Sequence, residues 1–360
     1  MTLPTRLVAT LGVSTTLLLA GCTPGTPENA STESSVSASP SDAATDPAAA
    51  PETGGTCDVT VGEASDAAPA VDEAASKEAL GTATLSNDAS TAPTVAFEAP
   101  LAVTSEVIQI TDKGSGDAIA DGNLISFNYL VCDMVTGEKM YSTWGTTPDA
   151  DAPETYTLSA DTFGEALPAA LDGATVGSRL LWGQPGVAAE ESYTGEALNG
   201  YLYVLTVTDT QKVLESAEGT EVKPSDDALP GIEFKDGKPA VSVPSSFKDP
   251  EELIVQPLIE GEGDVVEAGQ TVMVKYTGWL TDGTQFDSSW DREAPDNVFS
   301  FQAGAGGVIE GWDQGVVGQK VGSRLLLVVP SDLGYGPDGS GETIPGDSTL
   351  IFVVDILAAY

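Results

Sequence analysis

VGSRLL, at Val176–Leu181 and again at Val321–Leu326, is the stretch that decides the fold. An identical hexapeptide at two distant points of one chain marks an internal repeat, and the flanking sequence agrees. Ser126–Leu130 (SFNYL) corresponds to Val272–Thr277 (VMVKYT), Met140–Trp144 (MYSTW) to Phe286–Trp290 (FDSSW), and Leu202–Val207 to Ile351–Ile356. Within a copy, Val272, Val274 and Tyr276 alternate, Asp282-Gly283 marks a hairpin turn, and Leu350, Phe352, Val354 and Ile356 share one face of a terminal strand. Only short segments such as Glu310–Gln314 read as helix. The pattern predicts an α+β protein with two tandem domains, each an antiparallel β-sheet wrapped around a short α-helix.

Just ahead of the second hexapeptide lies Gly306–Gly315, GGVIEGWDQG. Val308 and Ile309 precede the helical segment, Trp312 within it offers a wide flat surface, and Gly306, Gly307, Gly311 and Gly315 permit tight backbone. This reads as the floor of a small apolar pocket; an ordinary core tryptophan is the alternative.

The chain opens with Arg6, an apolar run Leu7–Ala20 and Leu19-Ala20-Gly21-Cys22. The run is short for a membrane span, which needs about 20 residues, and residues 1–21 read as a signal peptide. The small residues before Cys22 resemble a bacterial lipobox, which implies acylation of Cys22 and attachment to a membrane by lipid. Residues 22–56 lack aromatic and basic residues and read as a disordered tether. An N-terminal extension follows over 57–91. The first copy takes 92–212, a charged linker 213–227 and the second copy 228–360.

The net charge is −41, from 14 Lys+Arg against 55 Asp+Glu, which argues against nucleic acid as a partner. The chain has no histidine, so Ser-His-Asp and Cys-His nucleophilic sites and histidine metal sites are excluded; no metal and no cofactor are expected. With Cys22 given to lipid, Cys57 and Cys132 remain. An oxidising compartment would pair them and pin the tether to the first folded unit; two separate thiols are the alternative.

From Gln270 to Tyr360 the chain resembles the FKBP-type peptidyl-prolyl cis-trans isomerases, the immunophilins that bind macrolides such as tacrolimus. The resemblance rests on VKYTGWLTDGTQFDSSW, Arg292, the FSF of Phe299–Phe301, GVIEGWDQGVVGQKVGSRLLLVVP, the LGYG of Leu333–Gly336, the IPG of Ile344–Gly346 and LIFVVDIL, in the family's order. It implies a pocket lined by Tyr276, Phe286, Asp287, Phe299, Val308, Ile309, Trp312, Tyr335, Ile344 and Phe352, with Trp312 as floor. It also implies that the amide of Ile309 and the phenol of Tyr335 donate hydrogen bonds to ligand carbonyls, and that Tyr276 and Arg292 hold the Asp287 carboxylate. Asp296-Asn297-Val298, Ser340 and Thr343 depart from the family pattern on the rim. The first copy departs further: Tyr141 replaces the Asp287 equivalent, Thr146 the arginine, Leu167 the tryptophan and Phe163-Gly164 the Val-Ile pair, and no LGYG block appears. That copy reads as FKBP-like in fold and non-catalytic.

The expected protein is thus a monomeric, lipid-anchored, extracytoplasmic prolyl isomerase acting on proline-containing polypeptides, with macrolide immunosuppressant-type ligands plausible from the resemblance. The alternative is a non-catalytic chaperone that uses both copies as client-binding modules.

Overall fold

The computed structural model describes residues 54–62, 71–86, 90–145, 153–190, 192 and 195–360. The signal segment, Cys22, nearly all of the tether and Thr146 lie outside the described residues. The chain divides into two units: one holds most residues up to Val207, and the other holds Thr208–Tyr360 with the short pieces Asp117–Ser126 and Thr155–Leu158.

The earlier part of the chain runs β1 (Thr56–Val61), α1 (Glu73–Leu80), β2 (Thr84–Ser86), β3 (Thr94–Ala99), β4 (Val107–Lys113), β5 (Leu124–Asp133), β6 (Lys139–Ser142), β7 (Glu154–Thr157), α2 (Ala160–Phe163), α3 (Ala166–Leu171), β8 (Ser178–Gln184) and β9 (Tyr201–Gln211). The later part runs β10 (Gly219–Glu221), β11 (Gly231–Lys235), β12 (Lys238–Ser242), β13 (Ile254–Gly261), β14 (Thr271–Leu280), β15 (Gln285–Ser288), β16 (Phe299–Gln302), α4 (Glu310–Val316), β17 (Arg324–Val329) and β18 (Leu350–Ala359). Strand order β4-β8-β9-β5-β6, with β7 on β5, repeats as β13-β17-β18-β14-β15, with β16 on β14; β10 extends the second sheet beyond β13. The pairings of that second sheet are antiparallel. Two copies of one α+β fold result, each with a short helix before the hexapeptide strand.

Each residue of the hexapeptide has a structural reason. The carbonyls of Val176 and Val321 accept from the amides of Gly116 and Gly263, closing the loop that follows β4 or β13. Gly177 and Gly322 both have φ of +91°, a region L side chains avoid. Ser178 Oγ donates to the Lys113 carbonyl and Ser323 Oγ accepts from the Gly261 amide. Leu180, Leu181, Leu325 and Leu326 are fully buried. A matching β-bulge falls between Ile110 and Asp112 in one copy and between Pro257 and Ile259 in the other.

The arginine differs in its partner. Arg324 makes a two-pronged contact with the carboxylate of Asp355, Nε to Oδ1 at 2.6 Å and Nη2 to Oδ2 at 2.7 Å, and Asp355 is 0% exposed. The amide of Ala217 donates to the same carboxylate at 2.9 Å. Register places Thr206 opposite Arg179 where Asp355 stands opposite Arg324. Arg179, 2% exposed, donates from Nε to Thr206 Oγ1 at 3.0 Å and from Nη2 to the carbonyl of Thr91 at 2.9 Å.

β18 is buried at every position, so its sheet is covered on both faces. Leu350, Phe352, Val354 and Ile356 pack with α4 residues Trp312 and Val316 on one face. On the other, Ile351 and Val353 join Trp279, Leu326 and Val328 beneath Ile232 and Val241 of the β11–β12 hairpin, with Val243 and Phe247 just after it. In the first unit Leu130, Cys132, Met134, Leu181, Leu202 and Val204 are covered by residues of α1 and β3, including Leu80, Val95 and Phe97. The sulfurs of Cys57 on β1 and Cys132 on β5 are joined, with Cα atoms 6.1 Å apart. The expected extension 57–91 therefore carries ordered elements that close the back of a sheet. Residues 213–227, expected as a linker, differ likewise: Leu214, Glu218 and Val222 donate to Leu357, Gly322 and Leu258, and β10 pairs with β13. Charge and Pro224 suit a spacer, yet backbone pairing at a sheet edge needs no apolar side chains.

Asp355→Ala leaves the Arg324 guanidinium inside without its counter-charge. We expect a loss of about 3–5 kcal/mol in urea denaturation of the second unit's transition. Thr206→Val, which removes only a neutral acceptor, should cost about 1–3 kcal/mol.

Candidate active site

Helix α4 carries glycine where it meets β17. A Cβ on Gly311 would stand 2.5 Å from Val329 Cγ1, so no side chain fits there. Asp313 fixes the loop ahead of the helix by accepting from the amides of Gly304 at 2.9 Å and Gly306 at 2.7 Å. Trp312 is thereby placed against the aromatic face of the sheet at 4% exposure. Its ring stands edge-on to those of Tyr276, Phe301 and Phe352, with centroids 5.2, 5.5 and 5.4 Å away, and to Phe299 at 6.1 Å. Its indole N–H finds no hydrogen-bond acceptor among the described residues. Phe286 stands edge-on to Phe352 at 5.5 Å and covers Gly278, where a Cβ would meet Phe286 Cζ at 2.4 Å.

One polar network borders this apolar surface. Tyr276 donates its hydroxyl to Asp287 Oδ2, and Arg292 Nη2 donates to Asp287 Oδ1 and, at 3.4 Å, to the Tyr276 oxygen. The amide of Ser288 also donates to Asp287 Oδ1, at 2.8 Å. Three donors thus converge on one carboxylate and fix its direction. Burial, together with the Asp287 contact, pushes the Tyr276 phenol up to about 12. The hydrogen bonds of Arg292 to Tyr276 and Asp287 raise the guanidinium's pKa further. Tyr335 is 41% exposed, and burial of its remainder plus the nearby charge of Asp287 raise its phenol as well.

Every residue that the resemblance placed in the pocket lies within the second unit. Val308 and Ile309 pack against the cluster that contains Trp312, Ile344 and Phe352. The N–H of Ile309 comes just ahead of the first turn of α4, where helix amides have no intrahelical acceptor. Ile344 is buried and exchanges backbone hydrogen bonds with Ser340, which closes the loop after Tyr335.

The sequence reading missed three supporting residues. Phe301 contacts Trp312 and stacks on Phe299 at 5.9 Å; strand alternation over Phe299–Phe301 places both on one face and could have shown it. Ser289 accepts the amide of Tyr276 at 2.9 Å, and Gly278 leaves room for Phe286.

The first unit repeats the backbone and changes the side chains. Thr143 accepts the amide of Tyr129 at 2.8 Å, just as Ser289 accepts that of Tyr276. By register Tyr141 stands at the Asp287 position. Its ring lies 5.4 Å from that of Tyr129 at 35°, and Tyr129 is 1% exposed where Tyr276 is partly open. Leu167 is buried at the Trp312 position and Phe163 packs on Phe127 at 6.0 Å.

The sequence model of the family described as FKBP-type peptidyl-prolyl cis-trans isomerase matches residues 263–357, the span that holds this network and floor. An FK506-binding protein of Streptomyces anulatus is 48% identical over 124 residues, covering 34% of this chain and 96% of that relative. An FK506-binding protein of Neisseria meningitidis serogroup B is 46% identical over 108 residues, 30% of this chain and 96% of its own. The crystal structure of FkpA from Escherichia coli is similar over 30% of this chain and 47% of that one, at 38% identity and a TM-score of 0.27. The chain belongs to the FKBP-type peptidyl-prolyl cis-trans isomerase family. It is a peptidyl-prolyl cis-trans isomerase.

The raised phenol of Tyr276 ties stability to pH. The folded protein holds that proton up to about 12, whereas an unfolded tyrosine releases it near 10. The contribution is fully present below about pH 10 and is lost as pH rises through about 12. Tyr276→Phe should therefore show a smaller alkaline fall in unfolding midpoint than wild type between pH 10 and 12; an identical fall would contradict it.

Proposed function

We propose that this protein is a lipid-anchored, extracytoplasmic prolyl isomerase that assists the folding of secreted or envelope proteins, with turnover confined to residues 228–360. The observation that carries the reading is the buried indole of Trp312 beside the fixed Asp287 carboxylate. Rotation about an X-Pro bond needs no nucleophile and no proton transfer; amide resonance sets its barrier of about 18–20 kcal/mol. A dry aromatic wall made by Tyr276, Phe286, Phe299, Trp312 and Phe352 favours the twisted, less polar amide over the planar one. Tyr335 and the Ile309 amide hold the flanking carbonyls, while Asp287 acts as an orienting acceptor for Tyr276 and Arg292. Lowering the barrier by about 5–7 kcal/mol would accelerate rotation on the order of 10⁴–10⁵-fold. Macrolides of the FK506 class would occupy the same pocket. The first copy, with Tyr141 and Leu167 in place of the carboxylate and indole, serves as a client-binding or spacer module.

A protease-coupled assay on a short X-Pro peptide tests the mechanism in the full chain. Activity should be nearly flat from about pH 6 to 8, because no histidine titrates there. Trp312→Ala, which opens the floor to water, should lower kcat/KM by on the order of 100-fold and leave no residue of turnover from the first copy. Asp287→Asn, which keeps shape and one acceptor oxygen, should lose less. A bell-shaped profile with Asp287→Asn the more damaging change would indicate an acid–base step and overturn the mechanism.

Anchoring is tested at Cys22. Cys22→Ser should abolish labelling by a fatty-acid probe and shift the protein from the detergent phase to the aqueous phase or the medium. A mutant that partitions wholly with detergent as before would end the lipobox reading.

A further inference from the structure

The β11–β12 hairpin lies ahead of the span that matches the family, and it does more than cover a sheet. Its Asp236-Gly237 turn has positive φ at both residues, the geometry of a tight two-residue hairpin. It forms a two-stranded sheet of its own and so depends on packing for its stability. Ile232 and Val241 provide that packing. The side chains beside the turn have another destination. The ring of Phe234 meets Trp290 edge-on at 5.8 Å, and Lys238 donates to Asp291, whose second oxygen accepts Gln285 Nε2 at 2.8 Å. From beneath, the Arg324 guanidinium lies 3.8 Å over the Phe234 ring while paired with buried Asp355.

Trp290 and Asp291 belong to the single 3₁₀ turn Ser289–Asp291, and the next residue is Arg292. Ser289 is held from the sheet by the Tyr276 amide, and the Arg292 amide donates back to the Ser289 carbonyl at 3.2 Å. The turn is thus fixed at one end by the sheet and at the other by the hairpin. We propose that the hairpin braces the active site, with Phe234 and Lys238 as positioning residues. Through Trp290 and Asp291 they set where the Arg292 guanidinium stands against Asp287 and Tyr276. The brace acts through Arg292 and touches no substrate, so its loss should weaken capture of the peptide more than the rotation step. The inference rests on the isomerase reading of the same site.

The test uses the full chain, with two readouts. Lys238→Met should raise KM for an X-Pro peptide about two- to fivefold, the range an exposed ion pair can supply, with kcat within twofold of wild type. Phe234→Leu should do the same and guards against a fold lost in Phe234→Ala; Lys238→Arg should restore the wild-type KM. In an Arg292→Ala background, Lys238→Met should add nothing, because both changes act through one group. Independently of turnover, the Nε–Hε signal of Arg292 in an arginine-labelled NMR spectrum should move in Lys238→Met and stay in Lys238→Arg. Inactive wild type with a moved Arg292 signal would fail the isomerase reading and keep the brace. An unmoved signal, an unchanged KM, or additive losses with Arg292→Ala would overturn the brace.

Discussion

A ten-residue strand with no exposed position imposes a condition on everything around it. β18 runs through the middle of its sheet, between β17 and β14, and every side chain from Leu350 to Ala359 is buried. Since successive side chains point to opposite faces, neither face can be left to water. One face receives α4 and becomes the aromatic wall on which Trp312 rests. The other receives the hairpin, whose packing against Ile351 and Val353 is as obligatory as that of the helix. The candidate site is one of two solutions to a single burial problem.

The hexapeptide shows how the two faces are connected. Its leucines bury themselves, its glycine and serine close a loop, and its arginine reaches the back cover. In the second unit Arg324 is neutralised by Asp355 and stacks on Phe234 of the hairpin; in the first, Arg179 bonds Thr206 and the Thr91 carbonyl just ahead of β3. A long cation can span from the strand to the cover while its charge is satisfied on the way. This explains why the same six residues serve two sheets covered by different elements.

Legibility followed the range of the interactions. The alternation of Val272, Val274 and Tyr276 and the blocks around Trp312 and Asp287 report local geometry, and the family's sequence model covers the same residues. The covers leave a weaker trace, because they show only in what the strand beneath them lacks. Leu350, Phe352, Val354 and Ile356 give LIFVVDIL one apolar face, yet Ile351, Val353 and Leu357 are apolar too, and a near-continuous run signals burial on both faces. Pairing of Cys57 with Cys132 was one of two readings, and only the placement of β1 on the back of β5 distinguishes them. Residues 213–227 carry the charge and proline of a linker, yet β10 within them pairs with β13, because a strand edge recruits backbone and leaves no trace in side-chain pattern.

The contrast between the two copies isolates what makes a pocket out of this fold. Tyr129 and Tyr276 occupy the same strand position and have their amides held by a hydroxyl on the neighbouring turn. Backbone is therefore not what separates them. At the facing position Asp287 accepts the hydroxyl of Tyr276, whose ring meets that of Trp312, whereas Tyr141 sets a second ring 5.4 Å from that of Tyr129 and the Tyr129 hydroxyl donates to Glu154 instead. Both phenols donate to a carboxylate, and what differs is the group beside the ring, a carboxylate held by Arg292 in one copy and a second aromatic side chain in the other. The fold supplies the strand and its held tyrosine in both copies, and the side chains around that ring, Asp287 and Trp312 in one and Tyr141 and Leu167 in the other, set the two apart.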